Sequence, residues 1–332
     1  MKKFLNDPER LVDEALAGFV RAYPDLVRSD PDYRLCLRAD APVAGKVALV
    51  SGGGSGHEPL HAGFVGRGVL DAACLGDVFT SPVADQMLAA ARAVHGGAGV
   101  LFIVKNYTGD VINFRYAAEL AGDERIAVEV VIVDDDVATG TGSGAVGRRG
   151  TGATVFVEKI AGALAERGAA LADVADIARK VVAQSRSIGV ALTSCTTPLT
   201  GRPTFELGPD EIEFGVGIHG ETGIERRAHA SAAALTEDML TALLDELQPA
   251  AAAKVIALVN GFGGTPAIEL YLLHNEVAAQ LETRGLELAR SLVGSFVTSL
   301  DMAGASISLL VLDPELLELW DAPAATAAFS TP

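Results

Sequence analysis

Cysteine is scarce in this 332-residue chain: Cys36, Cys74 and Cys195 are the three present, and no two share a CxxC spacing. That points away from a disulfide framework and a thiolate metal site, and toward a reducing cytoplasm. Positive charge is also in deficit, with 26 Lys and Arg against 43 Asp and Glu for a net charge of -17. A phosphate backbone would be repelled overall, so nucleic-acid binding is not expected. No apolar run reaches the roughly 18 residues of a membrane span. Lys2 and Lys3 near the start have no apolar run behind them, which speaks against a secretory signal. What is abundant is hydrophobic residues, at 49%, and glycine, with 36 copies. This balance fits a folded globular chain with many tight turns. At roughly 150 residues per domain, the length suggests two domains.

Asn6-Asp7-Pro8 precedes Leu11, Val12, Ala15, Leu16 and Phe19, a cap, a first-turn proline and helical spacing that predict an opening helix. Short apolar runs predict strands at 47–50, 99–105, 127–133, 188–193, 214–218, 254–260 and 307–312. Longer amphipathic runs predict helices at 83–94, 111–120, 153–167, 171–185, 237–247 and 266–282. Strands without polar alternation, separated by helices, imply an α/β protein whose sheets are largely parallel or mixed and covered by helices. KVALVSGGGSG at 46–56 and KVIALVNGFGG at 254–264 echo each other, each a strand running into a glycine-rich turn. Two α/β domains follow, an N-terminal one at 1–190 with the glycine-rich loop and a C-terminal one at 191–332. The polar, Pro- and Gly-containing stretch 196–204 marks the change.

The densest glycine cluster, SGGGSGHEP at 51–59, should be a turn between a strand and a helix that Pro59 starts. Backbone N–H groups there can approach a polar ligand closely; a plain βα turn with a surface histidine reads the same residues. No Gly-Lys-Ser/Thr follows, so it is not a P-loop. His57-Glu-Pro-Leu-His61 matches HExxH formally, but proline at the third position cannot sit inside the helix that a zinc pair needs. Gly142-Ser-Gly144-Ala-Val-Gly147 matches GxGxxG, yet 134–139 separates it from the preceding strand, so it reads as a loop. Arg148 and Arg149 in that loop read as solvated, with phosphate contact as the other option. Asp110 reads as the N-cap of a helix beginning at Val111, at the carboxyl end of a strand closed by Lys105. Ligands bind at that end of parallel strands, so the amine and the carboxylate could face one pocket. His219 ends an apolar strand in a glycine-bordered turn beside Glu221, a placement that favours function.

SGGGSGHEP, FIVKNYTGDVINF, RRGTGATVFVEKIAG, GVALTSC, GVGIHGE, NGFGG and TSLDMAG occur in this order. Together they resemble the K subunits of dihydroxyacetone kinases, over essentially 1–323. The resemblance implies a covalent hemiaminal between a ketone and His219, with His57 and Asp110 serving acid-base chemistry at the hydroxyl to be phosphorylated. It implies substrate contacts at Gly54, Ser55, Gly56, His57, Lys105 and Asp110, and no metal held by this chain. ADP or ATP with Mg2+ would sit on a partner L subunit, itself fed in some systems by a phosphoenolpyruvate-dependent phosphocarrier. A cytoplasmic homodimer without nucleic acid or membrane partners is implied as well. Thr222 stands where proline is common and Ala305 where a larger side chain is frequent; neither is one of those site positions. A kinase for another ketose such as erythrulose, and a ketone-sensing coactivator that transfers no phosphate, are the alternatives. Retention of both His57 and Asp110 favours catalysis.

Overall fold

The computed structural model describes residues 2–30, 32–140 and 147–332. In chain order the elements are α1 (Leu11–Ala22), β1 (Val27–Ser29), β2 (Leu35–Arg38), β3 (Ala48–Ser55), β4 (Gly66–Arg67), β5 (Ala72–Val78), α2 (Ala84–Val94), β6 (Val100–Lys105), α3 (Thr108–Asp123) and β7 (Val128–Val133). There follow α4 (Ala153–Glu166), α5 (Leu171–Ala183), β8 (Ser185–Ala191), β9 (Glu211–Phe214), β10 (Glu225–Ala228), α6 (Ala232–Leu247), β11 (Lys254–Gly261), α7 (Ala267–Thr283), β12 (Glu287–Gly294), β13 (Gly304–Leu312), α8 (Pro314–Asp321), β14 (Ala324–Thr326) and β15 (Ser330–Thr331).

Two compact units share the chain, and they are interleaved along it. One comprises Lys2–Val133, Thr154–Val181 and Leu316–Pro332, the other Asp134–Ala153 and Val182–Glu315. The sequence reading draws one boundary, between 190 and 191; the units instead exchange chain after 133, 153, 181 and 315. A linear scan sees composition change along the chain but not a return of the chain to its first core.

The first unit has a six-stranded sheet in the order β1-β2-β5-β3-β6-β7. Its centre, β5, β3, β6 and β7, is parallel, and β1 and β2 add an antiparallel edge. Leu35, Val50, Phe102, Val104, Met87 and Phe114 fill one core, with Phe102 edge-on to Phe114 at 5.2 Å between ring centroids. The central strands are apolar throughout because both faces are covered. The second unit's sheet runs β10-β9-β8-β13-β11-β12. There only β11 and β12 pair in parallel, so the expected α/β layering stands while this sheet is mixed and mostly antiparallel. β3 and β11, the two strands of the internal echo, lie in different sheets, one per unit.

Three local expectations are corrected. Residues 51–55 are not a turn: the strand continues through them to Ser55, and no α-helix starts at Pro59. The strand stays extended because glycines clear room for its neighbours; a methyl on Gly54 would lie 2.5 Å from the amide nitrogen of Thr80. The strand expected at 214–218 ends at Phe214, since Gly215 takes φ +82° and breaks the ladder. Helix α3 begins at Thr108 with Tyr107 at its N-cap, so Asp110 lies inside the first turn rather than capping it. The GxGxxG match at 142–147 falls, but for Gly147, outside the described residues.

Candidate active site

In the first unit the strand β3 supplies backbone, and side chains from three other places close on it. Lys105, the last residue of β6, turns its Nζ across β3 to donate to Gly52 O at 3.2 Å. Glycine at 53 makes this possible, because a methyl there would collide with Lys105 Nζ. The same methyl would lie 3.6 Å from Asp110 Oδ2, so the amine and the carboxylate share one face of the glycine strand. Asp110 is 3% exposed, and its Oδ1 makes no hydrogen bond within the protein. A buried carboxylate oxygen keeps an acceptor unused only at a cost, and such groups mark places where a ligand hydroxyl can bond.

His57 is fully buried, with its ring stacked on Phe79 at 5.1 Å and 22°. Phe79 itself sits at φ +58°, a left-handed conformation rare outside glycine. Gly56, just before His57, has φ +101°, and its amide donates to both carboxylate oxygens of Glu58, at 3.1 and 3.0 Å. Burial raises the Glu58 carboxyl above its usual range. Ser55 donates its hydroxyl to Gly76 O at 2.7 Å, which ties the end of β3 to β5. Of the residues expected at the site, His57, Lys105, Asp110 and Gly54 to Gly56 are thus all in this unit, and Lys105 and Asp110 converge on β3.

Two further buried groups join them that sequence reasoning assigned no role. His61 Nε2 lies 2.6 Å from Lys105 Nζ, and His61 Nδ1 lies 2.6 Å from Glu158 Oε1 on α4. The only sequence signal for His61 was the HExxH match, which pairs it with the wrong partners. Among the described residues, no three His, Cys, Asp or Glu side chains gather as a cation site. Glu158 carried a different signal: a glutamate in a helix buried on every side, VFVEKIAG, must have a polar partner.

His219 belongs to the second unit. It follows β9 in the turn 215–220, where the amide of Gly220 donates to the carbonyl of Gly217 at 3.1 Å. Its Nδ1 lies 2.9 Å from Glu221 Oε1 and its amide donates to Glu221 Oε2 at 2.9 Å. Burial would push the Glu221 carboxyl up, but the His219 hydrogen bond and charge, with Arg149, hold it down at about 2. The ionised Glu221 accepts a hydrogen bond from Nδ1–H, a tautomer that leaves the lone pair on Nε2. A side chain at 217 would strike both Glu221 and Arg149, so glycine is required there.

Arg149 is not a solvated loop residue as expected: it is 8% exposed and bonds Asp136 at 2.7 and 2.8 Å and Gly215 O at 2.7 Å. Arg148 pairs with Glu246 at 2.5 Å. The three cysteines are free and buried, and burial lifts the Cys36 thiol to about 12 and the Cys74 thiol as well, which leaves neither nucleophilic near neutral pH. No helix among the described residues is long and apolar enough to cross a membrane.

The chain is 47% identical to the dihydroxyacetone-binding subunit DhaK of the PEP-dependent dihydroxyacetone kinase of Escherichia coli, with 99% of each chain covered. The solved structure of the dihydroxyacetone kinase of C. freundii superposes with a TM-score of 0.90 at 37% identity, over all of this chain and 60% of that one. A dihydroxyacetone kinase operon co-activator, Dha-DhaQ, gives the same TM-score of 0.90 at 32% identity, over 96% of this chain and 98% of that one. Residues 17–328 match the Dak1 domain, and the chain belongs to the Dak1 domain family.

Proposed function

We propose that this chain is the substrate-binding subunit of a dihydroxyacetone kinase, a phosphotransferase with an alcohol group as acceptor. The observation that carries the reading is the buried Asp110 carboxylate, its Oδ1 unused by the protein, beside Lys105 on the glycine strand. The kinship with dihydroxyacetone-binding subunits agrees with it.

In the proposed reaction His219 Nε2 adds to the ketone carbon, the carbonyl electron pair moves to oxygen, and that oxygen takes up a proton. The ring gives up its Nδ1 proton by way of Glu221 to water, one proton released for the one the oxygen takes up, so the ring ends neutral, Glu221 stays a carboxylate and the product is a hemiaminal that retains every atom of the triose. Dihydroxyacetone is small and uncharged, and a covalent bond selects it over glycerol where surface contact could not. Asp110 and His57 then take the proton of the hydroxyl that attacks phosphorus, a contribution of roughly 10²–10⁴ in rate. Lys105, Gly54, Ser55 and Gly56 position the triose. Phosphoryl transfer otherwise rests on charge stabilisation, which ADP or ATP with Mg2+ supplies from a partner L subunit. The assembly is read as a cytoplasmic homodimer, with a phosphoenolpyruvate-dependent phosphocarrier charging the L subunit.

The test is intact mass and turnover together. Incubation with dihydroxyacetone should add the mass of the whole triose, without the loss of water that a lysine imine would show, and His219→Ala should abolish the adduct. Turnover with an L subunit and phosphoryl donor should fall in His57→Ala and Asp110→Asn. An adduct without turnover on any L subunit would favour a co-activator role, and faster turnover of erythrulose would shift the substrate. An undiminished adduct in His219→Ala would refute covalent capture.

A further inference from the structure

Lys105, His61 and Glu158 come from three separate parts of the first unit: the end of β6, the segment before β4, and α4. Each is 6% exposed or less, and they stand in one line, Nζ to Nε2 at 2.6 Å and Nδ1 to Oε1 at 2.6 Å. An imidazole carries one proton when neutral, so the line has two arrangements of equal total charge. In one, the Lys105 ammonium donates to Nε2 and Nδ1–H donates to the Glu158 carboxylate. In the other, the Glu158 carboxylic acid donates to Nδ1 and Nε2–H donates to the neutral Lys105 amine. We infer that Lys105, His61 and Glu158 form a buried proton relay in which Glu158 stores the proton that decides whether Lys105 meets the glycine strand as an amine or as an ammonium.

The step balances: an O–H bond breaks at Glu158, Nδ1–H forms, Nε2–H breaks, and N–H forms at Lys105, with no proton leaving the core. Burial favours the uncharged arrangement. In keeping with that, burial raises Glu158 to about 8 against the opposing Lys105 charge. It lowers Lys105 against the pull of Asp110 and Glu158. His61 is held far below an ordinary imidazole by burial and by the Lys105 and His57 charges, so the ring never becomes a trap for two protons. Glu158 Oε2 finds no hydrogen-bond partner, and the Ser51 hydroxyl, which donates to Ile103 O at 2.7 Å, lowers the carboxyl less than burial raises it. The groups facing Lys105 are His61, Asp110 and Glu158, and His57 adds its charge at His61.

This inference rests on the triose reading only for its purpose. The substrate is neutral and the phosphorylated product is an anion, so a relay would charge Lys105 when negative charge arises and discharge it when the product leaves. His61 and Glu158 are then positioning residues acting through Lys105.

Ring-nitrogen NMR of ¹⁵N-histidine-labelled chain tests it, with His61 assigned by its loss in His61→Gln. Between about pH 6 and pH 9 the His61 ring should stay neutral, unlike an ordinary imidazole. Its proton should move from Nε2 to Nδ1 when dihydroxyacetone phosphate or inorganic phosphate is added. A ring that charges in this range, or a proton on the same nitrogen in both states, overturns the relay. In turnover, Glu158→Gln should lower kcat roughly tenfold, flatten its pH profile and leave KM within about threefold. Unchanged kcat and pH profile also overturn it. A tautomer switch with phosphate in a chain that never phosphorylates dihydroxyacetone keeps the relay and ends the triose reading. Triose turnover with a fixed tautomer does the reverse.

Discussion

Glu158→Gln makes a sharp prediction about stability as well as catalysis. In the unfolded chain this carboxyl has an ordinary value of 4.5, and in the fold burial lifts it to about 8. A carboxyl raised by folding contributes nothing unfavourable below about pH 4.5, where both states hold the proton. Above that the unfolded chain ionises first, so the folded state loses ground steadily until about pH 8, beyond which the penalty is constant. At 1.36 kcal/mol per pKa unit the full penalty is roughly 5 kcal/mol. Glutamine keeps the shape and the hydrogen bond but has no proton to lose. The variant's stability relative to the parent should therefore climb by a few kcal/mol between pH 4.5 and pH 8, for a gain of several degrees in Tm. Urea unfolding of both proteins at intervals across that window measures it. A difference that stays flat with pH, or that falls, refutes a neutral buried Glu158.

Other perturbations separate site from scaffold. Asp110→Asn keeps the volume and should cut kcat by about 10²–10⁴ with little change in Tm, read by coupled phosphotransfer and thermal melting. Glu221→Gln removes the anion that orients His219 at 2.9 Å and should weaken the triose adduct at least about tenfold in intact-mass titration. Gly54→Ala forces a methyl to 2.5 Å from a backbone nitrogen and should destabilise by about 2 kcal/mol or more in urea. Gly18→Ala lies mid-helix in α1 with nothing within 4 Å and should instead stabilise by roughly 0.5–1 kcal/mol. Arg149→Met strands the buried Asp136 carboxylate and should cost about 3–5 kcal/mol by the same assay.

Six of the seven strands expected from apolar runs are present, while the one expected at 214–218 meets β9 only at Phe214; continuous β-branched and aliphatic residues at sheet centres are a direct consequence of burial on both faces. The strands that went unseen are those whose sequences lack that mark. β10, ERRA, and β12, ELARSLVG, are exposed edges, β2 is four residues long, and β5, AACLGDV, opens on two alanines and carries a glycine and an aspartate inside. Their strand character comes from the neighbours they pair with, not from their own residues.

By itself the sequence determined the alternation of helices and strands, the internal echo of β3 and β11, and the residue types of the site: His57 and His219 stand in glycine-rich turns, and Lys105 and Asp110 flank the short stretch between a strand and a helix. These are local properties, set by periodicity, backbone freedom and chemistry within a few residues. Only the tertiary structure decided that the chain leaves its first core and returns to it twice. It alone decided that the glycines of 51–55 are strand rather than turn, and that Arg149 is sealed against Asp136. It alone brought Glu158 to His61 across 97 residues of chain. Hydrogen-bond partners of buried charges are fixed by where the sheet places them, and separation along the chain carries no record of that distance.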